Sequence, residues 1–217
     1  MNNKKSAIII IVLIAIIVAL VVVCFRTCRK KNAPDDAEGA NQAQTDIYVK
    51  LNSLLNGIGY PVILTVKTTE GENVFNGSYT ITEHGDVRAA SYSYEKLNTF
   101  EIRDDEVVIP EDFKTTCSGQ IKTKNRKIIE QNGAALNLSV EALDVKGFSL
   151  TESALTNVKT ERGIFSADIT SLKTVAGIDL AANDAKISIA YTDAKIMTIV
   201  LSYSTTSHHT EMTYRFG

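Results

Sequence analysis

Cys117 is the one thiol outside the first 28 residues, and Arg126 follows it nine positions later. A cysteine thiolate attacks acyl carbons, and a guanidinium nearby can hold the oxyanion that develops. His84 is the only histidine upstream, and an imidazole is the usual acceptor of the thiol proton. The other two histidines, His208 and His209, stand beside Glu211. They could begin a metal site, but no third ligand follows at a useful spacing, so neither a metal nor a cofactor is expected. Asp104, Asp105 and Glu106 read as solvated loop carboxylates rather than a hydrolytic pair. Lys122, Lys124, Arg126 and Lys127 form a basic cluster, with alternation placing Lys122, Lys124 and Arg126 on one strand face. Aromatic residues are not interleaved with them, so they read as an edge-protecting strand and not as a grip on nucleic acid. Phosphate-binding glycine loops, nucleophile elbows, zinc-protease helices and calcium loops are all missing from the sequence.

Thr116-Cys117 followed by Arg126 resembles the threonine, cysteine and arginine pattern of sortases, which are also membrane-anchored β domains. That resemblance implies Cys117 as nucleophile, Arg126 as oxyanion stabiliser and His84 as the thiolate's partner. Lys114 stands where the pattern has an apolar residue, and His84 falls within Glu83-His84-Gly85-Asp86, a hairpin-turn sequence. Cys117 is therefore read as a core residue and the domain as a non-enzyme, with the cysteine transpeptidase as the alternative.

The elements that must carry these residues are mostly strands. Ile47, Leu51, Leu54, Leu55 and Ile58 recur at helical spacing before Gly59-Tyr60-Pro61, which predicts a helix over 46–58. The period then changes to two. Short β-branched and aromatic runs at 61–68, 76–83, 87–94, 98–103 and 106–110 are separated by turn residues, predicting hairpins. Runs at 185–191, 195–204 and 209–216 predict a closing three-stranded meander. Met197, Ile199, Leu201 and Tyr203 share a parity and are assigned to the buried face. An apolar sheet face needs a cover, and the helix at 46–58 plus a second short one near 152–158 are the expected candidates. The fold class is α+β, a mostly antiparallel sheet covered by one or two helices.

Ahead of this domain the chain divides into a basic head (1–6), an apolar run (7–25) and a basic, then polar, segment (26–45). The run AIIIIVLIAIIVALVVV lies within about twenty uncharged residues, enough at about 1.5 Å each for a bilayer core. No small-residue cleavage site follows it, so it reads as a permanent signal anchor partnered by the lipid bilayer. Val21-Val22-Val23 before Cys24 lacks the small residue that a lipidation signal places there. Lys4 and Lys5 on one side face Arg26, Arg29, Lys30 and Lys31 on the other. The early position of the run favours an extracytoplasmic domain all the same, because long domains translocate with little regard for charge. Asn32 to Asp46 holds hardly a large apolar side chain and reads as a flexible tether. Residues 46–217 carry 17 basic and 22 acidic side chains, a net charge of about −5 that attracts neither nucleic acid nor anionic lipid.

The order of opening helix, consecutive antiparallel strands, short helix and closing meander resembles the half-barrel envelope domains of LolA- and LppX-type lipoproteins. That resemblance implies a curved sheet holding an acyl chain or other apolar ligand under its covering helices. It makes Tyr79, Ile81, Tyr92, Tyr94, Met197, Ile199 and Leu201 the candidate lining. Two function classes follow. One is binding of an apolar ligand or an envelope protein; the other is assembly through free strand edges.

Overall fold

The structure is a computed structural model that describes residues 36–97, 101–103, 106–108 and 113–217. The expected membrane run 7–25, the head 1–6, Cys24, Asp104 and Asp105 lie outside the described residues. Among those described, no helix is long and apolar enough to cross a membrane. The chain divides into two compact units, Met1–Asp46 and Ile47–Gly217.

Helix α1 runs Asp36–Asn56. It starts ten residues before the expected position, so 36–45 is helical where a flexible tether was expected. The cause is intrinsic propensity, because Ala37, Glu38, Ala40, Gln42, Ala43 and Gln44 are all good helix formers that need no buried partner to favour the conformation. Tyr48, Leu51 and Leu55 are buried along one stripe of α1, with Ile58 buried just beyond its end, and Val49 on the other side faces solvent.

Ten strands form one antiparallel sheet: β1 (Val62–Glu70), β2 (Asn73–His84), β3 (Val87–Leu97), β6 (Lys114–Lys124), β7 (Lys127–Gly133), β8 (Leu155–Glu161), β9 (Ile164–Ile169), β10 (Asn183–Tyr191), β11 (Ile196–Ser204) and β12 (His209–Phe216). Their order is β7-β6-β3-β2-β1-β12-β11-β10-β9-β8, so β1 and β12 pair at the centre and β7 and β8 are the outermost strands among the described residues. β4 (Glu101–Arg103) and β5 (Glu106–Val108) form a separate two-stranded ribbon. The observed class is α+β, mostly antiparallel and open, with few helices.

Cross-strand pairing lines up one apolar row after another. Ile189, Ile199, Tyr214, Leu64, Tyr79 and Tyr92 face each other across six strands, and Ile187, Leu201, Met212 and Val66 form the next row. All ten are buried. Alternation along each strand sends their neighbours, largely Ser, Thr and charged residues, to the outer face.

The inner face is covered by residues 47–56 of α1, by a strap over 134–150 and by helix α2 (Leu172–Ala176). The strap contains two single-turn 3-10 segments, Val140–Leu143 and Val145–Gly147, and buries Ala142, Leu143, Val145, Phe148 and Leu150. Tyrosine hydroxyls from the sheet pin it. Tyr92 donates to the Ala134 carbonyl at 2.7 Å, Tyr94 to Ala135 at 2.8 Å and Tyr214 to Ala142 at 3.0 Å, while Tyr79 donates to the Asn137 side chain. From the other side Asn52 of α1 both donates to and accepts from the Leu150 backbone, at 2.8 and 2.9 Å. Gly119 makes the close approach of strap to sheet possible: a Cβ there would stand 2.7 Å from the Ala134 carbonyl and 2.7 Å from the Tyr92 hydroxyl.

Three expectations need correction. The second short helix is at 172–176, not 152–158; only Glu152–Ala154 turns, as a 3-10 segment, and Leu155–Glu161 is strand β8. Asn157, at φ 51°, interrupts the β8–β9 register between Thr156 and Lys159 and thereby breaks the alternation that marks a strand. Met197 is 39% exposed, whereas Ile199, Leu201 and Tyr203 are buried. A register shift pairs Ala190 with Thr198 but Tyr191 with Ile196, so Met197 is an extra residue and Ile196 takes the buried place. Arg126 shares no strand face with Lys122 and Lys124, because it sits in the β6–β7 turn, where Asn125 and Arg126 both have left-handed backbones (φ 51° and 59°).

Candidate functional site

At one end of the inner face, sheet and cover stand apart and leave a cleft of about 620 Å³. Its floor is the continuation of the buried rows: Phe75 of β2, Tyr94 of β3, Tyr203 of β11 and Met212 of β12. Its walls are the start of the strap, with Leu138, and the loop after α2, with Ile178 and Leu180. The loop is set by Gly177, whose φ of 72° ends α2 in the left-handed conformation that glycine adopts without strain. Leu97 and Leu180 at the mouth are 48% and 43% exposed. These two leucines extend the apolar lining of the cavity out to its opening.

The rim is acidic. Glu70, Glu95, Glu141 and Asp179 line it against Lys96. Glu95 accepts hydrogen bonds from the Asn76 backbone N–H at 2.8 Å and side-chain amide at 3.1 Å, with Lys114 3.9 Å away; the backbone bond is the largest cause holding its carboxyl below the usual range. Asp179 pairs with Lys173 at 2.8 Å. Burial raises the phenols of Tyr94 and Tyr203 above their ordinary value, so both remain neutral hydrogen-bonding groups at physiological pH.

The opposite end of the strap is clamped. Asp144 is nearly buried and receives a hydrogen bond from Arg126 Nε at 2.9 Å, while Arg88 Nη2 lies 3.0 Å from its other oxygen, too far out of line to count as a hydrogen bond. Arg88 also donates to the Tyr60 hydroxyl at 3.1 Å, and Lys146 pairs with Glu83. These ions therefore hold one end of the cover against the sheet while the other end borders the cleft.

The candidate residues divide accordingly. Tyr79, Ile81, Tyr92, Ile199 and Leu201 are core, with no exposure to the cleft. Tyr94 alone of the seven lines it, and Met197 is outside it. Cys117 is half-buried on β6 opposite Tyr94, which in turn faces Gly77 of β2. His84 lies seven residues further along β2, roughly 23 Å away at about 3.3 Å per residue. Arg126 is also at that far end, engaged with Asp144. The structure does not bring Cys117, Arg126 and His84 together. His208 and His209 bond to neighbouring hydroxyls of Thr205, Ser207 and Ser204, and no group of three metal-ligating side chains exists among the described residues. Lys122 and Lys124 are paired with Glu130 and Asp86.

Extending the period-two pattern outward from Tyr79, Leu201 and Tyr214 reaches Phe75, Tyr203 and Met212, so part of the floor was within reach of sequence reasoning. Leu138, Ile178 and Leu180 sit in irregular segments without such a signal. No family model and no curated protein matches the chain.

Proposed function

We propose that this chain is a single-pass membrane-anchored envelope protein whose extracytoplasmic domain binds an apolar ligand without catalysis. The observation that carries this reading is the open apolar cleft between sheet and strap, floored by aromatic side chains and fringed by exposed leucines. An open sheet of ten strands with a cover on its inner face also suits the half-barrel resemblance. The anchor is argued from the sequence of 7–25, whose uncharged length prefers lipid to water. The cysteine-transpeptidase alternative draws no support from geometry, since Cys117 lies well along β6 from the end of the sheet that holds both His84 and Arg126.

The chain contains no tryptophan, so a single introduced one is a clean reporter. With Leu180→Trp in the full chain, 12-bromododecanol should quench emission saturably, whereas Ile164→Trp, on an exposed site that does not line the cleft, should show only weak linear quenching. Equal quenching of both would remove the basis for this function.

A second reading rests on β7. Every residue of this edge strand is exposed, including Ile128 and Ile129 on its two faces. An exposed apolar edge is a template for strand addition, which suits an assembly module of the envelope. Ile128→Lys together with Ile129→Lys should abolish partner pairing and leave the cleft untouched.

A further inference from the structure

We infer that the cleft selects amphiphiles with a cationic head group over those with an anionic one; this rests on the apolar-ligand reading above and adds the class of ligand. A chain lying on Met212 and Phe75 must bring its head to the rim, because the cleft is closed on its inner side by the buried rows of the sheet. Among the described residues four carboxylates line the cleft, Glu70, Glu95, Glu141 and Asp179, against two basic side chains, the ammonium of Lys96 and the imidazole of His208. Lys114 and Lys173 are committed to Glu95 and Asp179, whereas Glu70 and Glu141 have no ion pair among the described residues. The electrostatic gain therefore goes to a positive head, and an anionic head meets uncompensated like charge.

The aromatic floor points the same way. Ring faces carry the negative part of the aromatic quadrupole and attract cations within about 6 Å. Phe75 already serves a cation, with Lys114 Nζ 5.5 Å from its ring centre, which leaves the rings of Tyr94 and Tyr203 to a ligand's head. Tyr94 and Tyr203 line the same space with phenols that burial keeps neutral, so neither ring brings a phenolate that would bind cations indiscriminately or take a proton from the ligand.

The test uses the full chain in phosphatidylcholine nanodiscs with methionine methyls labelled with carbon-13. The chain has three methionines; Met212 lines the cleft, Met197 does not, and Met1 is assigned by elimination. Hexyltrimethylammonium, hexyl glucoside and hexyl sulfate are titrated in turn, short enough not to dissolve the disc. An unpaired carboxylate about 6 Å from a unit charge in water-like surroundings alters affinity by roughly threefold, favouring a cation and opposing an anion, before screening by salt. For Glu70 and Glu141 together the opposite effects on the two heads multiply to roughly a hundredfold before screening; a Debye length of about 8 Å roughly halves each energy, so half-saturation of the Met212 shift should come at about a tenfold lower concentration for the ammonium than for the sulfate. Glu70→Gln with Glu141→Gln, both outside the core, should shrink that gap to threefold or less with the glucoside curve unchanged. If the sulfate matches or outcompetes the ammonium while all three probes shift Met212, the head-group inference is overturned and the apolar-ligand reading stands. A gap that survives the double substitution overturns the assignment to these carboxylates. If no probe moves Met212, both the inference and the reading beneath it fail.

Discussion

Removing the Asp144 carboxylate should loosen the strap. Asp144→Ala leaves Arg88 and Arg126 facing a nearly buried site without their shared anion, and the three side chains are 11%, 21% and 45% exposed respectively. Unit charges about 4 Å apart interact by about 4 kcal/mol at an effective dielectric near 20, and desolvation of the ions returns most of that. Arg126 is nearly half exposed, so its share is reduced by solvent towards the level of a surface pair, about 1 kcal/mol or less. Arg88 is better shielded and dominates the loss. The sum is roughly 2–3 kcal/mol, below the cost of breaking a fully buried pair. For a domain of this size that lowers Tm by roughly 5–10 °C. Near-ultraviolet circular dichroism reads the change, because Tyr79, Tyr92, Tyr94 and Tyr214 are hydrogen-bonded to the strap and report its packing directly. Asp144→Asn, which keeps an acceptor for Arg126 Nε, should cost about half as much. A Tm within about 2 °C of wild type for Asp144→Ala would show that the strap is held by its tyrosine bonds and apolar contacts alone, and that the ionic clamp is incidental.

Three other outcomes follow from the same structure. Tyr214→Phe strips the partner from the buried Ala142 carbonyl and should destabilise by about 1–2 kcal/mol in a denaturant titration. Burial raises the phenols of Tyr79 and Tyr214 well above the ordinary value near 10, so the unfolded chain releases these protons first as pH climbs. Their contribution to stability is complete below about pH 10 and falls above it by about 1.4 kcal/mol per pH unit for each tyrosine, which urea midpoints measured between pH 9 and 11.5 would detect. Leu201→Ala should cost about 2–5 kcal/mol and Met197→Ala less than about 1, in spite of their shared parity on β11, because the bulge turns Met197 outward; equal losses would contradict that register.

The meander over 183–216 was legible because its strands alternate cleanly and its turns are short, and the helix stripe of Leu51 and Leu55 was legible for the same kind of reason. Reading failed where a single residue resets the period. Met197 and Asn157 each shift the register by local backbone geometry that residue type does not announce. The strap was invisible in advance, since 134–150 has neither helical nor strand periodicity and owes its shape to hydroxyl donors arriving from β2, β3 and β12. The cleft was harder still. Tyr94 was anticipated because it continues a readable alternation, but its neighbours Leu138 and Ile178 come from irregular segments that only the fold brings beside it. Cys117 and Arg126, conspicuous as a pair in sequence, are separated by the second half of β6 and its turn.

The central claim is that the space between strap and sheet holds an apolar molecule. The direct measurement is a mass-spectrometric inventory of apolar molecules retained per chain by the wild-type chain and by Leu180→Trp, which narrows the cleft at its mouth, where the leucine is 43% exposed. Molecules retained elsewhere on the chain contribute equally to both, so the difference belongs to the cleft. About one molecule per chain more in the wild type than in the variant is the predicted result, and identical inventories from the two proteins would contradict it.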